Sequence, residues 1–515
     1  MHMQLLYTNR VVIFDRTDFG PSNLSLPFGQ CRIDPKDVAL TTDCTAHSLV
    51  YDIGTNTIRP LMVQTDTWCS SGAVLPSGTL VQTGGYNDGD RVVRTFAPCI
   101  DDFCDWVELP EYLSVRRWYA SNQVLPDGRI IVVGGRRVFS YEFYPRSSTS
   151  TSTASSCYLR FLQETRDSYD ENNLYPFLHL LPDGNLFVFA NKRSILLDYA
   201  RNIVVKEYPV MPGMDKRNYP STGSSALLPL RLLSGNNETR VLAELEVEVM
   251  VCGGAPVDAF FHAAHGVFLG ASSSCGRLKV SDPNADWVME KMPMGRVMSD
   301  MLMLPTGDII MINGAGNGTA GWEYAVNPVL NPVLYSTYER NLTRRFTVLN
   351  PSPIPRLYHS AAVLLPDGRV LVGGSNPHRL YNFTDVLYPT DLSLEAFLPP
   401  YLAQRHSDLR PTIVSHTGMS LLYRRYFTLT FLVPAYQPEN SVTVTLLAPS
   451  FTTHSLAMNQ RLLELNVVSF LQMATSAYQV TVVGPPTADI APPGYYLMFI
   501  IHAGIPSPGV WVKVE

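Results

Sequence analysis

The chain places a thiol, phenols and an imidazole at matching points of one repeated template. The stretch QTDTWCSSGAVLPSGTLVQTGG, 64–85, carries Cys69 nine residues before the turn glycine Gly78. In RRWYASNQVLPDGRIIVVGG, 116–135, the same place before Gly128 is Tyr119. In PRLYHSAAVLLPDGRVLVGGS, 355–375, the same place before Gly368 is His359, with Tyr358 beside it. Counting back from Gly184 gives Tyr175, and from Gly307 gives Met298. Buried polar side chains of this kind cost free energy unless they are used. Phenol and imidazole together make an N,O donor set that suits a tetragonal metal, and copper(II) fits it best. A bound divalent ion also favours phenolate, although an ordinary tyrosine titrates near pH ~10. For Tyr175, plain aromatic packing is the expectation.

The template is what must bring these residues together. Its copies are VLPSGTLVQTGG from Val74, VLPDGRIIVVGG from Val124, LLPDGNLFVFAN from Leu180, MLPTGDIIMING from Met303 and LLPDGRVLVGGS from Leu364. A degenerate copy ends VMVCGG at Gly254. Each reads as a strand, a Pro-x-Gly turn, a second strand buried on both faces, and a Gly-Gly pair. The turn glycines are 50, 56, 123 and 61 residues apart, and the degenerate copy fills the long gap. Such a period, with four strands per unit, is that of a kelch-type β-propeller. Six blades follow, and the N-terminal strands Gln4–Asp15 and Ser48–Val63 supply a seventh that closes the ring. Equivalent positions then lie on a small ring around the channel, so Cys69 and Tyr119 come from adjacent blades and can touch.

After Leu398 the template stops. FTLTFLV, SVTVTLLA, YQVTVV, YYLMFII and GVWVKV are short alternating strands and predict an immunoglobulin-like β-sandwich. The expected fold is therefore all-β: a seven-bladed propeller over 1–398 and a C-terminal immunoglobulin-like domain over 399–515. The tract RSSTSTSTASSC, 146–157, reads as a mobile loop between blades. FFHAAHGVF holds His262 and His265 at a spacing that suits a helical metal pair, but the segment reads as a loop and the two as surface histidines.

Composition narrows the function class. Hydrophobic residues at 46% and charged residues at 16% describe a globular protein, and a net charge of −6 argues against nucleic-acid or polybasic membrane binding. No apolar run is long enough for a transmembrane helix. MHMQLLYTNRVVIFD reads as strand and not as a signal peptide. Either the protein is cytosolic or the chain begins past its signal. Eight cysteines favour the second alternative, with Cys31–Cys44, Cys99–Cys104 and Cys252–Cys275 as expected disulfides. So do sequons at Asn23, Asn237, Asn317, Asn341 and Asn382. Cys69 and Cys157 remain, and Cys157 is the unpaired thiol if Cys69 is bonded elsewhere.

Four segments together carry a resemblance: WCSSG, RRWYASNQVLPDGR, PRLYHSAAVLLPDGRVLVGGSNP and SFTTHSLAMNQR. They resemble the glyoxal oxidase branch of the galactose oxidase family, the copper radical oxidases, over essentially the whole chain. The resemblance implies one copper ion and a Cys69–Tyr119 thioether that carries a tyrosyl radical. It implies Tyr119 as equatorial ligand and radical site, Tyr358 as axial ligand and base, and His359 and His454 as the histidine ligands. The residues alone divide evenly between His454 and His502, which stands in FIIHAGIPSPG; the resemblance selects His454. Galactose oxidase stacks a tryptophan on the cross-linked ring, placed after the Gly-Gly of that blade. Here the stretch is VGGRRVFSYEF, with Arg136 and Arg137 and no tryptophan. That departure, and the lack of a preceding sugar-binding domain, turn the expectation away from galactose. The implied activity is oxidation of small aldehydes, glyoxal or methylglyoxal, to carboxylic acids with O2 reduced to H2O2. Alternatives are a primary-alcohol oxidase on the same site and a non-catalytic kelch binding protein. A secreted monomer of the extracellular space or cell wall, without nucleic-acid or membrane partners, is expected.

Overall fold

The computed structural model describes residues 1–99, 101, 103–146, 156–232, 245–439 and 442–515. Seven small antiparallel sheets follow one another along the propeller part of the chain. Their innermost strands are His2–Leu6, Ser71–Val74, Ala120–Val124, Phe177–Leu180, Ser224–Leu227, Asp300–Met303 and Ala361–Leu364. From Ser71–Val74 to Ala361–Leu364 each innermost strand touches the next, and Ala361–Leu364 touches His2–Leu6. The N-terminal strands thus form the expected extra blade, and VMVCGG lies in the strand Glu248–Cys252 of the degenerate one.

The repeated turn explains the repeated strand. Gly78, Gly128, Gly184, Gly307 and Gly368 all have φ between 81° and 87°, a conformation open to glycine at little cost. The Gly-Gly pair serves close approach between blades: a Cβ on Gly84 would sit 2.1 Å from the carbonyl oxygen of Arg117. Buried arginines then fasten those glycine carbonyls, Arg117 to Gly134 at 2.7 Å and Arg356 to Gly374 at 3.1 Å. The last blade departs from four strands. It consists of Ala361–Leu364, Val370–Gly373 and Leu394–Phe397. Pro399 and Pro400 follow, and proline lacks the N–H that a further ladder needs.

The C-terminal part is a two-sheet sandwich. One sheet holds Thr412–His416, Tyr426–Leu432, Ala477–Val483 and Val467–Ala474; the other is built on Val442–Ala448, Gly494–His502 and Val510–Val514. Phe427, Leu429, Phe431, Val444, Leu446, Val480 and Ile500 alternate inward along these strands and fill the space between them. Two exchanges tie this part to the propeller. Leu230–Arg231 joins the larger sheet beside Arg461–Glu464. In return the hairpin Phe451–Thr453/Leu456–Met458 pairs with His2–Leu6 and touches the innermost strands Ser71–Val74, Ala120–Val124, Ser224–Leu227, Asp300–Met303 and Ala361–Leu364.

Disulfides Cys31–Cys44, Cys99–Cys104 and Cys252–Cys275 form as expected, and Cys69 and Cys157 are unpaired. Asn23, Asn341 and Asn382 are exposed, Asn317 is half-buried, and Asn237 and positions 147–155 of the Ser/Thr tract lie outside the described residues. Among the described residues no helix is long and apolar enough to cross a membrane.

Candidate metal centre

The nine-residue count marks a backbone motif as well as a side-chain position. Cys69, Tyr119, Tyr175, Met298 and His359 all adopt the left-handed region, with φ of 52°, 66°, 51°, 58° and 61°. Such a conformation costs a non-glycine residue about 1–3 kcal/mol and persists only where surroundings enforce it. Here blade-to-blade hydrogen bonds do so. Tyr119 N–H donates to Cys69 O at 3.0 Å, Tyr175 N–H to Tyr119 O at 2.9 Å, and Met298 N–H to Thr222 O at 2.9 Å. The chain turns inward at the same point of successive blades, and the side chains meet at one end of the channel.

The remaining histidine arrives on the hairpin from the C-terminal part. His454 and Ser455 form its tip, also left-handed at φ 46° and 71°. Several blades hold the hairpin: Ser224 Oγ donates to Ser455 O at 2.6 Å, Thr452 Oγ1 to Ala362 O at 2.8 Å, and Met303 N–H to Gln460 Oε1 at 2.7 Å. His454 Nδ1 lies 2.6 Å from Thr453 Oγ1 and 3.4 Å from Tyr175 Oη. Its Nε2 faces the Cys69 thiol at 3.2 Å. The rings of His454 and His359 are 5.0 Å apart. His359 Nδ1 is engaged by Asp15 at 2.9 Å, while its Nε2 is buried without a partner.

The phenols complete the group. Cys69 Sγ lies within hydrogen-bonding reach of Tyr119. Tyr119 Oη is 3.2 Å from Tyr219 Oη, which is 2.7 Å from Tyr358 Oη. Burial pushes the phenols of Tyr119, Tyr175 and Tyr358, and the Cys69 thiol, well above their ordinary pKa values. Burial also lowers His359 to about 4, with Asp15 opposing, and holds His454 well below the ordinary histidine value. Both imidazoles are therefore neutral at pH 7, the form that ligates metals. The donors fit copper. Two neutral imidazoles and two phenols converge, and the orphaned Nε2 of His359, with its other nitrogen held by a carboxylate, has the arrangement of a metal-bound histidine.

Some expectations need correction. His262 and His265 lie on and just after a short helix, Ala259–Ala264, not in a loop. The alanine-rich AFFHAA favours helix, and no third His, Cys, Asp or Glu joins the two among the described residues. Tyr175 does more than pack, since its hydroxyl donates to Ser70 O at 2.9 Å and approaches His454. His502 is buried in the sandwich, with Nδ1 3.1 Å from Leu409 O and Nε2 3.0 Å from Gln437 N. Met298, at the remaining counted position, brings a thioether and neither phenol nor imidazole. The counting missed Tyr219, because the matching position of its blade is Thr222, whose carbonyl accepts from Met298, and Tyr219 stands three residues before it. It missed Asp15, which no motif marks, and Trp118. Trp118 is the ring that lies against Tyr119, at 4.6 Å, with Tyr219 at 4.5 Å. No tryptophan follows Gly135, and the tryptophan that packs on Tyr119 is its own chain neighbour.

Comparison with known proteins decides the family. A family model described as glyoxal oxidase N-terminus matches residues 1–401. The chain belongs to the glyoxal oxidase family. A galactose oxidase-like early set domain matches 410–514. Aldehyde oxidase GLOX of Vitis pseudoreticulata is 44% identical to this glyoxal oxidase family member over 516 residues, covering 100% of the chain and 94% of the relative. Aldehyde oxidase GLOX1 of Arabidopsis thaliana is also 44% identical, over 521 residues, 100% of the chain and 82% of the relative. Among solved structures, a fungal alcohol oxidase of the AA5 family in complex with copper superposes with a TM-score of 0.73 at 18% identity, covering 100% of this chain and 96% of that one, a likeness of fold.

Proposed function

We propose that this chain is a secreted, monomeric copper radical oxidase that converts small aldehydes such as glyoxal and methylglyoxal to carboxylic acids, with O2 as acceptor and H2O2 as product. The observation that carries the reading is the convergence of Cys69, Tyr119, Tyr358, His359 and His454, from three blades and the C-terminal hairpin, around an unpartnered imidazole nitrogen. Three disulfides and exposed sequons support secretion.

In this reading Tyr119, Tyr358, His359 and His454 hold the metal, and the Cys69 sulfur joins the Tyr119 ring. That bond removes the thiol hydrogen and one ring hydrogen, with O2 taking the two electrons. Copper(II) bound there supplies one of the two one-electron acceptors that aldehyde oxidation requires, and the Tyr119 radical supplies the other. Tyr358 Oη takes the hydroxyl proton of the aldehyde hydrate. Tyr119 Oη takes the hydrogen atom from its carbon. Aldehyde, water and O2 then balance against acid and H2O2. Trp118 and Tyr219 cover the Tyr119 ring, limiting solvent access to the radical. Asp15 fixes the His359 ring so that Nε2 points away from the hydrogen-bonded side.

The test is peroxide release from the copper-loaded protein with glyoxal, methylglyoxal, galactose and benzyl alcohol. Faster release from the aldehydes is expected. Preference for the alcohols would make it an alcohol oxidase, and no release from any of them would leave the non-catalytic binding protein.

A further inference from the structure

Beside the phenol cluster lies a groove of about 430 Å³ whose character the aldehyde reading does not explain. Trp118, the ring against Tyr119, forms part of its wall together with Tyr86, 4.6 Å from Trp118. Arg116, Arg136 and Arg137 line it, with side chains 80%, 44% and 69% exposed. Their carboxylate partners are too few. Asp90 meets Arg116 at 3.2 Å. Glu171 alone faces Arg136 at 3.1 Å, Arg137 at 3.8 Å and Arg166 at 3.9 Å. Four guanidinium groups against two carboxylates leave a positive excess on a chain whose net charge is −6. The groove adjoins the centre through one side chain: Arg136 lies over Trp118 at 5.2 Å, and the other side of that contact is Tyr119, 4.6 Å from Trp118.

The lining selects a ligand class. Guanidinium forks match carboxylates in a bidentate way. Asn87 and Asp90 offer groups that pair with hydroxyls, and the two aromatic rings offer apolar wall. The volume falls in the range of roughly 300–1,000 Å³ that holds ligands much larger than a three-carbon aldehyde. Carboxylates, hydroxyls and apolar C–H faces in one molecule describe a uronic acid chain. We propose that the groove is a binding subsite for an acidic saccharide whose reducing-end aldehyde, as its hydrate, is oxidised to the acid at the centre next to it while O2 is reduced to H2O2. The proposal rests on the oxidase reading for which end of the ligand reacts, but binding is measurable without turnover.

The test is isothermal titration of the copper-loaded full chain with trigalacturonate, with galactotriose and hexaglutamate as controls, at low and high salt. Trigalacturonate binds at low salt and releases as salt rises; galactotriose and hexaglutamate bind more weakly. The double variant Arg116→Gln/Arg137→Gln, with an unchanged melting temperature, weakens trigalacturonate by about 10–100-fold, as expected for lost charge-assisted hydrogen bonds. Arg116→Lys/Arg137→Lys, which keeps the charge but not the fork, falls between. No heat with trigalacturonate, equal binding of galactotriose or hexaglutamate, or an unaffected Gln variant would overturn the proposal. A protein that binds trigalacturonate yet releases no peroxide from glyoxal keeps the groove and loses the oxidase; one that oxidises glyoxal and ignores trigalacturonate does the reverse.

Discussion

The C-terminal part contributes two deeply buried histidines to very different surroundings. His502 sits between the sheets of the sandwich, where both ring nitrogens meet backbone groups and the ring stacks on Tyr436 at 4.9 Å. His454 sits at a hairpin tip inside the propeller channel, where its Nε2 meets a thiol and another imidazole lies 5.0 Å away. Burial is similar, so burial does not separate a structural histidine from a ligand. What separates them is what the nitrogens meet: backbone groups for His502, and the side chains of the channel, the Cys69 thiol among them, for His454. His359 goes further, with one nitrogen on Asp15 and the other orphaned.

The sharpest way to break the contrast is to remove each histidine. His454→Ala is expected to abolish peroxide release and to lower copper affinity by more than the roughly 10–100-fold that a lost outer partner costs. His502→Ala is expected to keep copper and lose about 1–3 kcal/mol of stability, from backbone groups left unpaired. Metal analysis and chemical denaturation of both variants read this directly, and equal copper loss would erase the distinction. Next in size, Tyr358→Phe removes the proposed base and one of the four proposed ligands, and lowers kcat by about 10²–10⁴-fold even at saturating copper, measured as initial peroxide rates. Asp15→Asn leaves the His359 ring less firmly held and weakens copper by about 10–100-fold in a competition titration.

A separate test reaches the side of the ring where Met298 brings neither phenol nor imidazole. Asp300, two residues on, is raised to about 7 by burial, against the opposing hydrogen bond from Asn313. Between pH 4 and 7 the unfolded chain has released this proton and the folded chain retains it, so stability falls as pH rises. Above pH 7 the cost is constant. Asp300→Asn therefore gains on the parent as pH climbs from 4 to 7, by on the order of a few kcal/mol, and holds that gain above it. Denaturation midpoints at pH 4, 6 and 8 check the sign.

Much of this was legible in the residues because the template repeats. One turn glycine fixed the register of each blade, and counting from it reached Cys69, Tyr119, Tyr175, Met298 and His359, which share one backbone conformation. His454 could not be reached in that way, since it stands outside the repeat; only the resemblance chose it over His502. Tyr219 was invisible because it lies three residues before Thr222, the matching position of its blade, and so falls outside the count. Asp15 and Trp118 were invisible for a different reason. Their roles arise from contacts between blades, or across one side chain, that no local pattern encodes. The absence of a tryptophan after Gly135 was readable, but the packing of Trp118 on Tyr119 was not.

The central claim is that Cys69 and Tyr119 become one cofactor. Peptide mass mapping after copper loading and exposure to air, under reducing conditions, tests it most directly, with Cys69→Gly as the control that cannot cross-link. The account predicts the two peptides joined, lighter by two hydrogens than their sum, and separate in the variant. Both peptides running apart after full copper loading would contradict it and leave the donors of the channel without a radical cofactor.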